Sequence, residues 1–107
     1  MNAPKPISAA EAQALVRNGA VLVDIREAPE RRSGMIRGAV HAPLSALDRT
    51  NLDITPRHAV IFHCRRGGRT TRHAAALQAT AGAAEAYLLE GGLDAWRAAA
   101  LPIERSW

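Results

Sequence analysis

The stretch AVIFHCRRGGRT, residues 59–70, decides the predicted fold. It opens with the apolar run AVIF, and the segment 59–64 is typical of a buried strand. A glycine pair at 67–68 makes a turn, and a strong helix pattern follows over 69–80 until Gly82 ends it. A strand that passes through a turn into a helix is half of a parallel βαβ unit.

The rest of the chain repeats the alternation of strands and helices. Two further strands are predicted over 20–25 and 85–89, and in such sheets ligands bind beyond the carboxyl ends of the strands. With 107 residues, the chain 1–107 fits one α/β domain. The other predicted elements are a loose arm (1–6), a helix capped by Ser8 and Glu11 (9–17), a short helix (27–32), a short strand (39–41), a helical turn (45–48), a loop (49–57) and a last helix (93–99).

The charge of the chain is basic and is almost entirely due to arginine. The net charge is +4, with 14 lysines and arginines against 10 acidic residues. Four arginines (Arg65, Arg66, Arg69 and Arg72) fall within eight residues of each other just after the cysteine. No basic run is interleaved with aromatic residues, so the pattern favours a local anion site over a nucleic-acid track.

The single cysteine favours a reducing cellular compartment. It cannot form an internal disulfide, and no CxxC or Cys/His spacing predicts a metal site. The N-terminus lacks the apolar core of a signal peptide, and the alanine-rich stretch 74–89 is too short to span a bilayer. We expect a cytoplasmic protein without metal or cofactor, monomeric or weakly dimeric, that binds neither nucleic acid nor membrane.

Cys64 is the candidate nucleophile. A lone cysteine is usually a small buried hydrophobe, but this one ends a strand and is followed by charged and glycine residues. We therefore expect a thiol that is at least partly open to solvent. The arginines and the following helix N-terminus favour the thiolate. Gly67 and Gly68 allow successive backbone N–H groups to turn inward as an anion nest.

The other residues of the loop have separate interpretations. Arg69 lies at the helix start, and we expect its guanidinium to point back into the loop. Arg65 and Arg66 either attract an anionic substrate or stay solvated, and the sequence favours neither. Thr70 bonds to local backbone or orients the thiolate. Arg72 is interpreted as a solvated helix residue.

Four residues outside the loop are interpreted as structural. His63 precedes Cys64 on the strand, so it points to the opposite face and cannot easily serve as its base. Asp24 and Arg26 follow a strand end, where a carboxylate and a guanidinium more often brace a loop than react. Trp96 is interpreted as the anchor of an amphipathic helix.

Three segments together resemble the rhodanese family: VLVDIREAPERRSGMIRGAVHAPLSAL (21–47), CRRGGRT (64–70) and EGGLDAWRAAALPI (90–103). They are similar to its N-terminal signature, its active-site loop and its C-terminal signature, in that order. The resemblance implies a rhodanese-like α/β domain with a central parallel sheet of about five strands, flanked by helices on both faces. Residues 60–96 most resemble bacterial single-domain rhodaneses that can carry a C-terminal membrane hairpin. No hairpin follows Trp107, so we expect either a soluble form or a chain cut there.

The resemblance also implies a reaction and a set of site residues. It implies transfer of sulfane sulfur from a small anionic donor such as thiosulfate, through a Cys64 persulfide, to a thiophilic acceptor such as cyanide in vitro. A protein donor or acceptor stays open. Two positions depart from the family pattern: Met35 replaces its usual histidine and Leu93 its frequent aromatic residue. The loop that cradles the sulfur would comprise Arg65, Arg66, Gly67, Gly68, Arg69 and Thr70, with Asp24, Arg26 and Trp96 organising the fold.

Two rival functions remain. The motif is also similar to those of cysteine phosphatases and arsenate reductases, but their loops place five residues between cysteine and arginine. Here four residues separate Cys64 from Arg69, which makes a tighter loop that suits one sulfur atom better than a tetrahedral oxyanion. The other rival is a non-catalytic or sulfur-carrier module. A thiosulfate:cyanide assay separates the catalytic function from the binding function.

Overall fold

Five parallel strands form the central sheet of the computed structural model, which describes residues 3–55 and 57–105. Each neighbouring pair is parallel, and the strand order is β1-β5-β4-β2-β3. The α/β class and the five-stranded sheet predicted from the sequence are confirmed. The strands are β1 (Lys5–Ile7), β2 (Val21–Asp24), β3 (Val40–His41), β4 (Ala59–His63) and β5 (Glu85–Leu89).

The helices connect these strands and pack on both faces of the sheet. The capping box predicted for the first helix is present, because the Ser8 hydroxyl accepts from the Glu11 N–H and the Glu11 carboxylate accepts from the Ser8 N–H. Within the described residues, no helix has the length and apolar character needed to cross a membrane. The helices are α1 (Ala9–Arg17), α2 (Ala28–Arg31), α3 (Gly68–Arg72), α4 (Ala74–Ala81) and α5 (Gly92–Ala98), with a 3-10 helix over Leu44–Arg49.

Strand β4 shows how the two faces of the sheet are divided. Val60 and Phe62 belong to one core cluster, which contains the α4 residue Leu77. Ile61 belongs to the other cluster, which contains the α5 residue Trp96. Successive side chains of a strand point to opposite faces, so a central strand covered on both sides is apolar at each position. The prediction of helices on both faces is confirmed.

The prediction of a loose arm over residues 1–6 is wrong for Lys5 and Pro6. These residues begin β1, which pairs with β5 in the register Lys5↔Tyr87. A proline is compatible with this position because β1 lies at the sheet edge and needs hydrogen bonds on one side only. Residues 1–2 of the predicted arm lie outside the described residues.

The continuous helix predicted over 69–80 is divided in two at His73. The Thr71 hydroxyl donates to the Gly67 carbonyl and the Thr70 hydroxyl lies 3.1 Å from the same oxygen, so both threonines tie α3 to the loop before it. Helix α4 is instead oriented by Leu77, which is buried in the core. His73 has φ −106° and ψ 21°, and this change of direction lets each helix meet its own contacts.

Candidate active site

Cys64 follows β4 directly, at the carboxyl edge of the sheet, and its carbonyl is held from two sides. The Leu93 N–H at the start of α5 donates to it at 2.9 Å. His63 Nδ1 lies 3.0 Å from the same oxygen. One residue further, the Asp94 N–H donates to the Arg65 carbonyl at 3.0 Å. The first N–H groups of α5 are thereby used to fix the loop that carries the cysteine.

Glycine is required where α5 meets the loop. A Cβ atom on Gly92 would lie 2.5 Å from the Cys64 carbonyl oxygen and 2.6 Å from the Arg65 carbonyl carbon. Gly92 also has φ +60°, in the left-handed region that favours glycine. The glycine pair after β5 therefore allows the close contact between α5 and the cysteine loop.

The thiol of Cys64 lies inside the loop and is not open to solvent. The residue is 1% exposed, so the expectation of a partly open thiol is wrong. The sulfur accepts a hydrogen bond from the Gly67 N–H at 3.1 Å and lies 3.9 Å from the Thr70 hydroxyl. Gly67 has φ +99°, which turns its N–H back toward the sulfur. The inward-facing N–H group predicted at Gly67 is thus present beside the sulfur.

The surroundings of Cys64 favour its thiolate. Burial raises the pKa of the thiol, but the hydrogen bonds that it receives outweigh this effect and lower the pKa below its usual value. The donors are the backbone N–H groups of Thr70, Gly67 and Arg69 and the Thr70 hydroxyl. The expected direction is confirmed, but these donors are the atoms of the loop itself rather than the arginine side chains.

The arginine side chains of the loop pair with carboxylates from other elements. Arg69 Nη1 lies 3.0 Å from both carboxylate oxygens of Glu30, so the expectation that its guanidinium turns back into the loop is wrong. Arg65 and Arg66 are exposed at the loop tip, and each lies near Asp94, at 3.8 and 3.7 Å. The exposed Arg72 is consistent with the solvated helix residue that the sequence predicts.

Asp24 and Arg26 form a buried pair beneath the site. The Arg26 guanidinium donates to Asp24 Oδ2 at 2.9 Å and to the Gly34 carbonyl at 2.7 Å. Burial raises the pKa of Asp24, and the hydrogen bonds from Arg26 outweigh it, so this carboxyl titrates below its usual range. The pair braces the chain between β2 and Gly34, as the sequence interpretation of these two residues proposes.

His63 lies behind the cysteine rather than beside its sulfur. Burial lowers the pKa of His63, so the ring is neutral at pH 7. A carbonyl oxygen only accepts hydrogen bonds, so Nδ1 carries the proton and donates to the Cys64 carbonyl. The ring therefore positions the backbone of Cys64 and does not contact its thiol, which agrees with the sequence interpretation.

The other residues that the sequence singled out pack around the site. Trp96 is buried and its indole N–H donates to the Pro102 carbonyl at 2.9 Å. Leu93 is buried in the same cluster. Met35 forms an isolated bridge with Glu104. Both departures from the family pattern thus fall on packing or backbone pairing and not on the cysteine loop.

Sequence reasoning missed three residues that shape the loop: Glu30, Gly92 and Asp94. Glu30 pairs with an arginine 39 positions away, and no local pattern indicates such a partner. Gly92 had a signal, because two consecutive glycines in a turn between a strand and a helix indicate a close backbone approach. Among the described residues, no group of three or more His, Cys, Asp or Glu side chains is arranged to hold a metal ion.

Comparison with known proteins identifies relatives over most of the chain. The family model of the rhodanese-like domain matches residues 8–99. Thiosulfate sulfurtransferase GlpE of Ectopseudomonas mendocina is 39% identical over 99 residues, covering 88% of this chain and 85% of that protein. The GlpE of Pseudomonas fluorescens strain SBW25 is 38% identical over 98 residues, covering 87% and 84%.

Solved structures with the same fold include proteins of different description. A rhodanese-related protein of Thermoplasma volcanium has a TM-score of 0.81 at 20% identity, covering 95% of this chain and 99% of its own. A Rhodopseudomonas palustris protein of unknown function, described as a possible tyrosine phosphatase, has a TM-score of 0.76 at 30% identity and covers 94% and 85%.

Proposed function

Since the chain belongs to the rhodanese-like domain family, we propose that it is a sulfurtransferase that moves sulfane sulfur from an anionic donor such as thiosulfate to a thiophilic acceptor. One observation carries the proposal: the donors of a short loop converge on a single atom, Cys64 Sγ. Relatives named thiosulfate sulfurtransferases support the same reaction. The reaction needs a free thiol, which fits a reducing, cytoplasmic compartment.

The first half of the reaction loads the cysteine. The Cys64 thiolate attacks the outer, sulfane sulfur of thiosulfate, a new S–S bond forms, and the bond to the sulfonate sulfur breaks. Sulfite leaves with the electron pair of that bond. The lowered pKa increases the fraction of thiolate at neutral pH, and the N–H groups stabilise negative charge on the sulfur that becomes the persulfide.

The second half unloads the cysteine. An acceptor such as cyanide attacks the terminal sulfur, a C–S bond forms, and the Cys64 thiolate leaves with the electron pair of the S–S bond. Thiocyanate is released. The chain has one cysteine, so no second thiol within it can resolve the persulfide. Donor and acceptor therefore react in turn, which predicts ping-pong kinetics.

Intact mass spectrometry tests this scheme. Thiosulfate should add one sulfur atom to the wild-type protein, and cyanide should remove it as thiocyanate. Cys64→Ser should gain no sulfur and turn over no thiosulfate, because a hydroxyl does not take up sulfane sulfur. Arg72→Ala, an exposed position of α3, serves as the control and should behave as wild type. Wild-type protein that never gains sulfur, or a serine variant that still turns over thiosulfate, refutes the assignment.

Two rival functions have distinct outcomes in the same experiment. A sulfur-carrier module would gain sulfur from a donor but would show no catalytic turnover with cyanide. A cysteine phosphatase would hydrolyse an aryl phosphate, the possibility raised by the description of the Rhodopseudomonas palustris protein. With four residues between Cys64 and Arg69, and the Arg69 guanidinium bound to Glu30, we expect no hydrolysis.

A further inference from the structure

Asp94 holds both arginines at the tip of the cysteine loop. Its Oδ1 lies 3.8 Å from Arg65 Nε, and its Oδ2 lies 3.7 Å from Arg66 Nε. The two arginine side chains are 60% and 75% exposed, and that of Asp94 is 44% exposed. One carboxylate is therefore shared between two cations that follow the nucleophile in the sequence. Its charge offsets about half of the positive charge at the loop tip.

The position of Asp94 is fixed by the backbone as well as by its charge. The Asp94 N–H donates to the Arg65 carbonyl at 3.0 Å, so α5 brings this carboxylate to the loop independently of the ion pairs. Arg65 and Asp94 also line one cleft beside the loop, together with Arg97. Arg66 instead lines another cleft along the loop, so an anion in either cleft meets one of the two arginines that pair with Asp94.

We propose that Asp94 determines how strongly the Cys64 loop attracts anions, and thereby how far the enzyme prefers anionic over neutral reactants. The carboxylate holds Arg65 and Arg66 and competes with an incoming anion for them. Asp94→Asn keeps the size of the side chain and the backbone hydrogen bond but removes the competing charge. The two arginines are then free to attract the reactant. The role in donor selection rests on the proposed sulfurtransferase function, whereas the electrostatic role does not.

Alkylation of Cys64 tests the electrostatic role without sulfur transfer. The chain has one cysteine, so iodoacetate and iodoacetamide react at one known thiol and differ mainly in charge. Their rate ratio cancels changes in thiolate fraction. We expect Asp94→Asn to raise the ratio of iodoacetate to iodoacetamide roughly two- to five-fold at low ionic strength, the range of exposed ion pairs. The gain should largely disappear at about 0.5–1 M salt, where the screening length is a few Å.

Two controls separate the arginine-mediated effect from a general change in charge. Glu85→Gln removes an exposed carboxylate at the amino end of β5, at the opposite edge of the sheet from the loop, and should leave the ratio near its wild-type value. In Asp94→Asn protein that also carries Arg65→Gln and Arg66→Gln, the gain should be lost. An unchanged ratio in Asp94→Asn overturns the proposal, as does an equal gain from Glu85→Gln or a gain that survives loss of both arginines.

Thiosulfate kinetics then test the role in donor selection. Asp94→Asn should lower KM for thiosulfate by a similar factor at low ionic strength and leave kcat unchanged, because the freed arginines attract the donor while the groups that contact the sulfur stay the same. A changed alkylation ratio with an unchanged KM overturns that role. If no variant, wild type included, turns over thiosulfate, the proposed function has failed, and the alkylation ratio alone still decides the electrostatic role.

Discussion

Two glycine turns of similar sequence lie at the carboxyl edge of the sheet, but their N–H groups bind different acceptors. Gly67 and Gly68 follow β4 and begin α3, whereas Gly91 and Gly92 follow β5 and begin α5. The residue before each helix is a glycine in the left-handed conformation, with φ +99° at Gly67 and +76° at Gly91. The glycine pair and the left-handed residue before each helix therefore make the two turns look equivalent, although only Gly92 of the two second glycines has a positive φ.

The difference lies in what accepts the hydrogen bonds of each helix start. At the first turn, backbone N–H groups face the Cys64 sulfur. At the second turn, the N–H groups of Leu93 and Asp94 donate to the carbonyls of Cys64 and Arg65. Donors already bound to protein carbonyls are not free for a ligand. The second turn thus supports the backbone of the first, whose own donors face the reactive sulfur instead.

Lengthening the first turn should have the largest effect on sulfur transfer. One glycine inserted after Gly67 moves the N–H groups off the Cys64 sulfur, and loss of preorganised donors typically costs on the order of 10²–10³ in rate. We expect a loss of this size in thiosulfate turnover. The matched control is one glycine inserted after Gly82, an exposed turn with open space around it. An insertion after Gly67 with undiminished turnover would remove loop length as the cause of specificity.

Alanine substitutions should distinguish the two turns by stability. Gly92→Ala would place a Cβ 2.5 Å from the Cys64 carbonyl oxygen at a positive φ, whereas a Cβ on Gly68 meets nothing within 4 Å. We expect Gly92→Ala to lower the free energy of unfolding by roughly 2–4 kcal/mol, the sum of overpacking and backbone strain. Gly68→Ala should change it by less than about 1 kcal/mol. Denaturant unfolding measures both, and equal losses would contradict the supporting role of the second turn.

Much of the fold follows from local sequence patterns. Strands β2, β4 and β5 read as short apolar runs, and Ser8 with Glu11 marks the start of α1. Strand β1 was missed because three residues with a proline among them carry no periodic signal. Its formation depends on pairing with β5, which is about eighty positions away. Edge strands of this kind are set by tertiary contacts that a local pattern does not contain.

The site was predicted in its chemistry but not in its contacts. Cys64, its glycine turn and the lowered pKa follow from the strand–turn–helix order. The burial of the thiol and the direction of the Arg69 side chain do not follow from that order. Both depend on residues that are distant in sequence: α5 packs against the loop backbone, and Glu30 binds the Arg69 guanidinium. Contacts between elements, rather than within them, account for these errors.

Removal of the Arg69 side chain should have a moderate effect on the first turn. Arg69 Nη1 contacts both oxygens of Glu30 and so links α3 to α2. We expect Arg69→Ala to slow sulfur loading roughly tenfold, which corresponds to about 1.4 kcal/mol in barrier. The free energy of unfolding should fall by no more than about 1 kcal/mol, because the pair is partly exposed.

Single-turnover loading with thiosulfate measures this rate, and denaturant unfolding measures the stability. Glu30→Gln keeps Arg69 and weakens the ion pair, so we expect a smaller decrease in loading. The double variant should load no more slowly than Arg69→Ala alone, because the pair is already broken. Additive decreases would indicate that Arg69 acts on the donor independently of Glu30.

The smallest expected effect is on the pKa of Cys64, which titrates at the first turn. Hydrogen bonds lower this pKa despite burial, so the alkylation rate plotted against pH should have its midpoint below the reference of about 8.5. A folded-state pKa below the unfolded value means that the thiolate stabilises the fold above the reference pH, and that this contribution is lost as pH falls through the folded pKa.

Thr70→Val keeps the shape but removes a hydroxyl 3.9 Å from the sulfur, so the midpoint of the alkylation rate should rise by less than about one unit. Thr70→Ser should retain the wild-type midpoint. A wild-type midpoint at or above the reference would show that the donors of the first turn do not lower the pKa of the thiol, and equal midpoints in the valine and serine variants would show that the Thr70 hydroxyl is not one of them.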